Sequence, residues 1–258
     1  MYNNNFSLSG NNLAAAKNMQ DFINEYCSSS ARPPLIIKCR YQDEISSMYM
    51  SFTMEELDIS INLLNAKSSP GLDKIRNEMI IHTPYNFKTL LLNVLNAIFQ
   101  TEFFPSQWSD TLIILLPKDS SNTKFRPISL TSCISKLMER LVLLRLQHFF
   151  ERNNLLPKSQ NGFRKGKSCA HSLTTLVTYI LNNFSQNKPL CAVLIDIKSA
   201  VDNVIPSKLQ DILIHFKIPF HIRSFIHKIM VNRLLFFKIL DEIHGPYIGD
   251  TGVPREEF

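Results

Sequence analysis

Apolar residues recur along this chain in two rhythms. At helical spacing they fall at Leu57, Ile61 and Leu64, at Leu90, Leu91, Val94, Leu95 and Ile98, and at Ile134, Leu137, Met138, Leu141, Leu144 and Leu146. Each set marks the core-facing stripe of one helix. Short unbroken apolar runs lie at Thr111 to Leu116, Leu190 to Ile195 and Leu234 to Leu240. Runs of that length predict strands. Further helices are predicted over Cys169 to Asn187, Ser207 to Phe216 and Phe220 to Asn232, and the mixture predicts an α+β fold.

Local signals sharpen the boundaries. Thr53-Met54-Glu55-Glu56 has the capping-box pattern, in which a threonine hydroxyl and a glutamate three residues on satisfy each other's backbone N–H groups. Pro70-Gly71 marks a turn, with Asp73 and Lys74 at its exit, and His244-Gly245-Pro246 marks another. The run that closes on Pro117-Lys118 is followed by a polar connection, Asp119 to Lys124, and returns as Phe125-Arg126-Pro127-Ile128-Ser129-Leu130. This reads as a hairpin with Lys118 and Arg126 near one end. Arg126 precedes a proline, which confines it to extended backbone. Its cation is thereby aimed, so the pair suits either a phosphate clamp or two solvated surface charges.

Composition changes the picture in two respects. The chain has 258 residues, 45% hydrophobic and 19% charged, which is ordinary for a globular protein. Residues 1–33 depart from this: they are rich in Asn and Ser around one helical pattern, Leu13 to Tyr26, and read as a loosely attached extension. No apolar run approaches the roughly 18 residues of a membrane span, and the first twenty residues lack a signal-peptide core, so an intracellular protein without membrane contact is expected. The five cysteines are widely spaced without a C-x-x-C pair, which argues against a zinc site or a disulfide framework. The seven histidines show no H-E-x-x-H spacing.

Charge is more informative. The net charge is +6, and residues 112–170 hold eleven Lys/Arg against three Asp/Glu. A basic excess gathered in one stretch suits a polyanion. Its densest part is Gln160-Asn161-Gly162-Phe163-Arg164-Lys165-Gly166-Lys167-Ser168. The closing Gly-Lys-Ser imitates a nucleotide-binding phosphate loop, but only three residues separate Gly162 from Gly166 where four are required, and no strand precedes them. A basic loop with one aromatic residue, touching a nucleic-acid backbone and stacking a base on Phe163, is the better reading.

The Leu190 to Ile195 run ends on Asp196. A buried strand delivering a carboxylate to its C-terminal edge would place it where reactive groups collect in open sheets. Two readings stand: an N-cap for a following helical turn, or a ligand for a hard divalent cation.

Six segments, in order, carry a resemblance: the Lys67 to Lys74 turn, Leu112 to Lys118, Arg126 to Leu130, Gln160 to Arg164, Asp196 to Asp202, and Thr251-Gly252-Val253-Pro254. Together they resemble the fingers and palm of a reverse transcriptase of the non-LTR retrotransposon type. The resemblance implies a right-hand polymerase fold, with residues 1–50 an extension, 51–190 the fingers and 190–258 a partial palm, the thumb being absent. It implies RNA-templated DNA synthesis with two Mg2+ ions, an RNA template, a DNA primer and dNTP substrates. Asp196 would be the first metal carboxylate, with the Ile197 carbonyl beside it. Lys118 and Arg126 would grip the triphosphate, and Val201 would occupy the position that normally holds Phe or Tyr against a ribose 2′ hydroxyl. Gly162, Phe163, Arg164, Lys165, Lys167, Gly252 and Pro254 would lie along the nucleic acid. The family's Tyr-x-Asp-Asp hairpin would fall beyond Phe258, so the polypeptide as written is expected not to polymerise. The rival expectations are a catalytically silent RNA-binding module and an inert remnant that folds poorly.

Overall fold

The computed structural model describes residues 48–117, 125–198, 200–239, 242–249 and 252–254. The expected N-terminal extension up to residue 47, including its Leu13 to Tyr26 pattern, lies outside them, as does Lys118. In chain order the elements are helices α1 (Met54–Asn62), α2 (Asn77–Ile81) and α3 (Tyr85–Thr101), strands β1 (Asp110–Pro117) and β2 (Phe125–Leu130), helices α4 (Cys133–Arg152), α5 (Cys169–Ser185), α6 (Pro206–His215) and α7 (Phe220–Met230), and strands β3 (Arg233–Ile239) and β4 (Glu242–Gly249). The α+β expectation holds. None of the described helices is long and apolar enough to cross a membrane.

The four strands form one sheet in the order β2-β1-β3-β4. The expected hairpin is present, β1 running antiparallel to β2 with Leu112 opposite Leu130 and Leu116 opposite Arg126. Strand β3 joins the other side of β1 in parallel, Asp110 opposite Leu234, and turns back into β4. Residues from both sides of position 190 thus enter the same sheet. The expected turn at His244-Gly245-Pro246 is a bulge inside β4: Phe237 pairs with His244 and Leu235 with Tyr247, leaving Gly245 and Pro246 opposite Phe236 alone. An edge strand tolerates a proline that cannot donate to a ladder. Gly245 suits the site because its φ is +138° and a Cβ would sit 2.7 Å from the Leu235 carbonyl oxygen.

The helical core forms around α4, whose Leu137, Met138 and Leu141 are fully buried, each contributing about 1.5–3 kcal/mol of apolar burial. Leu57 and Ile61 of α1 are buried with them, and the capping box forms as expected, Thr53 Oγ1 accepting from the Glu56 N–H at 3.2 Å while Glu56 Oε2 accepts from the Thr53 N–H at 2.8 Å. On α3 the buried stripe is Leu92, Leu95, Ile98 and Phe99, whereas Leu90 and Val94 are exposed. The triplet Leu90-Leu91-Leu92 leaves helix phase ambiguous by about one position. Tertiary contacts decide it: Phe99 packs on Phe52 and on His221 of α7 with ring centroids 4.5 and 4.4 Å apart.

The segment before α1 is fastened at three points. Asn96 of α3 accepts from the Phe52 N–H at 2.6 Å and donates to its carbonyl at 3.0 Å, as a strand neighbour would. His221 Nε2 donates to the Met48 carbonyl at 3.0 Å. Arg145 of α4 forks onto Glu56 at 2.7 and 2.8 Å, donates to the carbonyls of Met50 and Ser51 at 2.5 and 2.9 Å, and lies 4.3 Å over the Phe52 ring.

Two of these groups make stability depend on pH. Burial pushes the His221 imidazole below its ordinary range, so the folded protein keeps it neutral while the unfolded chain takes up a proton near pH 6.5. Its contribution is complete above that value and is lost as pH falls below it. Burial also works to raise the Glu56 carboxyl, but the hydrogen bonds from Arg145 and Thr53 outweigh it and hold the group low, so its contribution is lost only at more acid pH. The urea midpoint is expected to fall between pH 7.5 and 5.5, and His221→Asn to flatten that slope; an unchanged slope would show that another group is responsible.

Candidate nucleic-acid and nucleotide interface

The basic loop between α4 and α5 is built by hydrogen bonds. Arg164 Nε and Nη2 donate to the two carboxylate oxygens of Glu151 at 2.8 and 2.6 Å, and Nη1 donates to the carbonyls of Pro157 and Gln160 at 2.8 and 3.2 Å. The hydrogen bond from Arg164 holds the Glu151 carboxyl below its ordinary range. The Lys167 N–H closes a turn onto the Arg164 carbonyl at 3.2 Å, and Gly166 supplies the positive φ of +72° that the turn requires. Phe163, 96% exposed and at φ +57°, points away from the protein, and Lys165 and Lys167 are exposed beside it. Of the expected nucleic-acid contacts in this loop, Gly162, Phe163, Lys165 and Lys167 are open to a ligand, whereas Arg164 is turned inward.

Helix α5 begins where Ser168 and His171 cap each other, the imidazole Nδ1 accepting from the Ser168 N–H at 3.2 Å. The amphipathic pattern forms a helix as expected, but none of its residues is buried. An open groove of about 1080 Å³ runs between it and the loop, with Lys158, Lys167, His171 and Tyr179 among its walls.

On the sheet, Arg126 is exposed opposite Leu116 and makes no ion pair among the described residues. The Leu190 to Ile195 run departs from expectation: it forms no strand, and Leu194 and Ile195 are 95% and 76% exposed. A strand needs a neighbour to complete its ladder. No described strand pairs with this run, although the sheet order leaves the outer sides of β2 and β4 as edges. Asp196 and Ile197 are exposed. Asp196 does not cap α6, which begins at Pro206 with Ile205 as its cap. No group of three or more His, Cys, Asp or Glu able to hold a metal occurs among the described residues. Asp196 by itself supplies only a small part of the oxygen ligands that one magnesium ion takes, still less two.

The structure does bring together two stretches far apart in sequence. The Val253 N–H donates to the Val201 carbonyl at 3.1 Å and the Gly252 N–H to the Val204 carbonyl at 3.0 Å. Gly252 is at φ +75°, and a Cβ there would lie 2.9 Å from the Asp202 carbonyl oxygen. Arg233, buried at the start of β3, donates to the Gly252 carbonyl at 3.1 Å and braces this contact from within. The candidates Val201 and Gly252 thus lie on backbone segments that pair with each other. Arg233, Arg145 and Glu151 were missed from sequence, where each reads as a surface charge on a helix or strand; only their tertiary partners distinguish them.

Residues 116–253, more than half of the chain, match the family model described as reverse transcriptase (RNA-dependent DNA polymerase). The chain belongs to the reverse transcriptase family. Among curated relatives it is 30% identical over 233 residues to a probable RNA-directed DNA polymerase from transposon BS of Drosophila melanogaster, covering 84% of this chain and 25% of that protein. It is 28% identical over 165 residues to the RNA-directed DNA polymerase from mobile element jockey of the same species, covering 62% and 18%. Against the retrovirus-related Pol polyprotein from type-1 retrotransposable element R2 of Popillia japonica, identity is 27% over 166 residues, covering 62% and 22%. This reverse transcriptase chain thus spans about a quarter or less of the length of these relatives.

Proposed function

We propose that the chain serves as the fingers and opening palm of an RNA-directed DNA polymerase, residues 51–190 holding template and nucleotide and residues 190–258 contributing Asp196 as a metal-binding carboxylate. In this reading Lys118 and Arg126 grip the triphosphate of a dNTP, a point charge and a planar fork acting together. Gly162, Phe163, Lys165 and Lys167 follow the RNA template, with the DNA primer on the palm side. Val201 borders the nucleotide, and Gly252 and Pro254 lie along the nucleic acid. The observation that supports the reading best is the backbone pairing of Val201 and Val204 with Gly252 and Val253, which sets two candidate segments side by side.

The test is binding of the 258-residue protein to a labelled RNA template annealed to a DNA primer, at several salt concentrations. With Lys158, Lys165 and Lys167 engaged, the plot of log affinity against log salt should have a slope of roughly −2 to −3, and Lys165→Ala with Lys167→Ala should remove most of it. Absent or salt-insensitive binding would overturn the proposal.

A second reading, RNA binding without synthesis, is favoured by the exposure of Asp196 at a place where the described residues gather no group of three metal-ligating side chains. Primer extension with Mg2+ and dNTPs separates the two: extension that Asp196→Asn abolishes supports a polymerase, and salt-dependent binding without extension supports the silent module. A broad, non-cooperative melt would instead favour the inert remnant.

A further inference from the structure

We propose that Arg164 is a positioning residue: its fork onto Glu151 at the end of α4 fixes the basic loop so that Phe163, Lys165 and Lys167 face a nucleic-acid strand that Arg164 itself does not touch. The inference rests on the reading of this loop as a nucleic-acid contact and names the device that orients it.

Sequence alone groups Arg164 with the lysines as one more cation. The geometry separates them. Of its five N–H donors, four point to partners inside the loop and the helix end: both Glu151 oxygens and the carbonyls of Pro157 and Gln160. Its side chain is 11% exposed, while its chain neighbour Phe163 is 96% exposed. An inward arginine next to an outward ring is the arrangement that a pinned turn imposes.

The pin also accounts for the backbone. Phe163 sits at φ +57°, a region that bulky residues seldom occupy unless their surroundings hold them there. Gln160 Nε2 to the Gly162 carbonyl at 3.3 Å and Asn161 Nδ2 to Ser172 Oγ at 3.0 Å are weak, exposed restraints. The Arg164 fork is the only charge-assisted one that the described loop residues make to the body of the protein. Lysine could neutralise Glu151 but could not span both carboxylate oxygens and two carbonyls at once.

Glu151→Gln provides the test, because it removes the anion and leaves every loop cation in place. Without nucleic acid, tryptic cleavage after Lys165 and Lys167 should accelerate by roughly tenfold as the loop opens locally, with the melting temperature little changed. Affinity for a fluorescent single-stranded RNA should fall by roughly tenfold, since the strand must then order the loop on binding. Arg164→Met should weaken binding without changing the salt slope, whereas loss of a phosphate contact would reduce it by about one. Exchanging the charges in Glu151→Arg with Arg164→Glu should restore only part of the protection, because a glutamate at 164 cannot donate to the Pro157 and Gln160 carbonyls. Binding by Glu151→Gln that equals or exceeds wild type would overturn the proposal, as would unaltered cleavage or a reduced slope in Arg164→Met. If wild type binds no RNA, the loop's assignment fails, and the cleavage comparison still decides whether Glu151 and Arg164 hold the loop.

Discussion

Arg145→Ala is expected to lower the unfolding free energy by about 3 kcal/mol, because it leaves Glu56 partly buried without its counter-charge and frees two backbone carbonyls. For a folded unit of this size the melting temperature should drop by roughly 6–12 °C. The Arg145 side chain is 11% exposed and that of Glu56 26%, so solvent screens the pair only partly. The guanidinium also lies over Phe52 at 4.3 Å, an attraction that alanine forfeits. Arg145→Lys retains the charge but cannot fork onto Glu56, reach both carbonyls and cover the ring together, so it should recover less than half of the loss. Differential scanning calorimetry of the three proteins measures this. A loss under about 1 kcal/mol would place the pair with ordinary surface salt bridges.

Gly71→Ala is expected to cost about 2–3 kcal/mol although it adds a single methyl group. The Cβ would meet the Thr131 carbonyl carbon at 2.8 Å, and the Thr131 oxygen and Ser132 nitrogen at 2.9 Å. All three are backbone atoms at the buried entrance to α4, where Ser132 Oγ accepts from the Ser135 N–H, so no flexible side chain can yield. Gly162→Ala is the matched control: a Cβ there meets nothing within 4 Å, and its φ is not positive, so the change should be neutral or stabilising by up to about 1 kcal/mol. Equal effects of the two substitutions in urea titrations would contradict the close approach.

The contrast between these glycines shows what the sequence could convey. Local rules worked where the answer is local: the Thr53 capping box, the β1–β2 hairpin and the Leu137, Met138 and Leu141 centre of the α4 stripe all formed where residue spacing put them, while Ile134, Leu144 and Leu146 are only half-buried. They failed where the choice lies with a neighbour. Leu92 rather than Leu90 faces inward on α3 because Phe52 and His221 select the face, and nothing in the Leu90-Leu91-Leu92 run encodes that. Leu190 to Ile195 has the composition of a strand, yet an apolar run states only that a partner is required, not that one is at hand. At the candidate interface the residue types were legible as cations and an aromatic, whereas the inward turn of Arg164 and the pairing of Val201 with Val253 depend on contacts that single-sequence patterns do not carry.

The parallel pairing of β1 with β3 has a consequence for synthesis. Asp110 meets Leu234, more than a hundred residues downstream, so β1 and β2 leave the ribosome long before the strand that completes their sheet. At about 5–20 residues per second that interval is roughly 6–25 s, against the 1–10 μs in which a hairpin forms. A two-stranded ribbon is marginal by itself, and throughout the interval the free side of β1 offers unpaired N–H and C=O groups to any strand nearby. Nascent chains should therefore need shielding during translation, and yield should depend on elongation rate and chaperone supply more than on the stability of the finished fold.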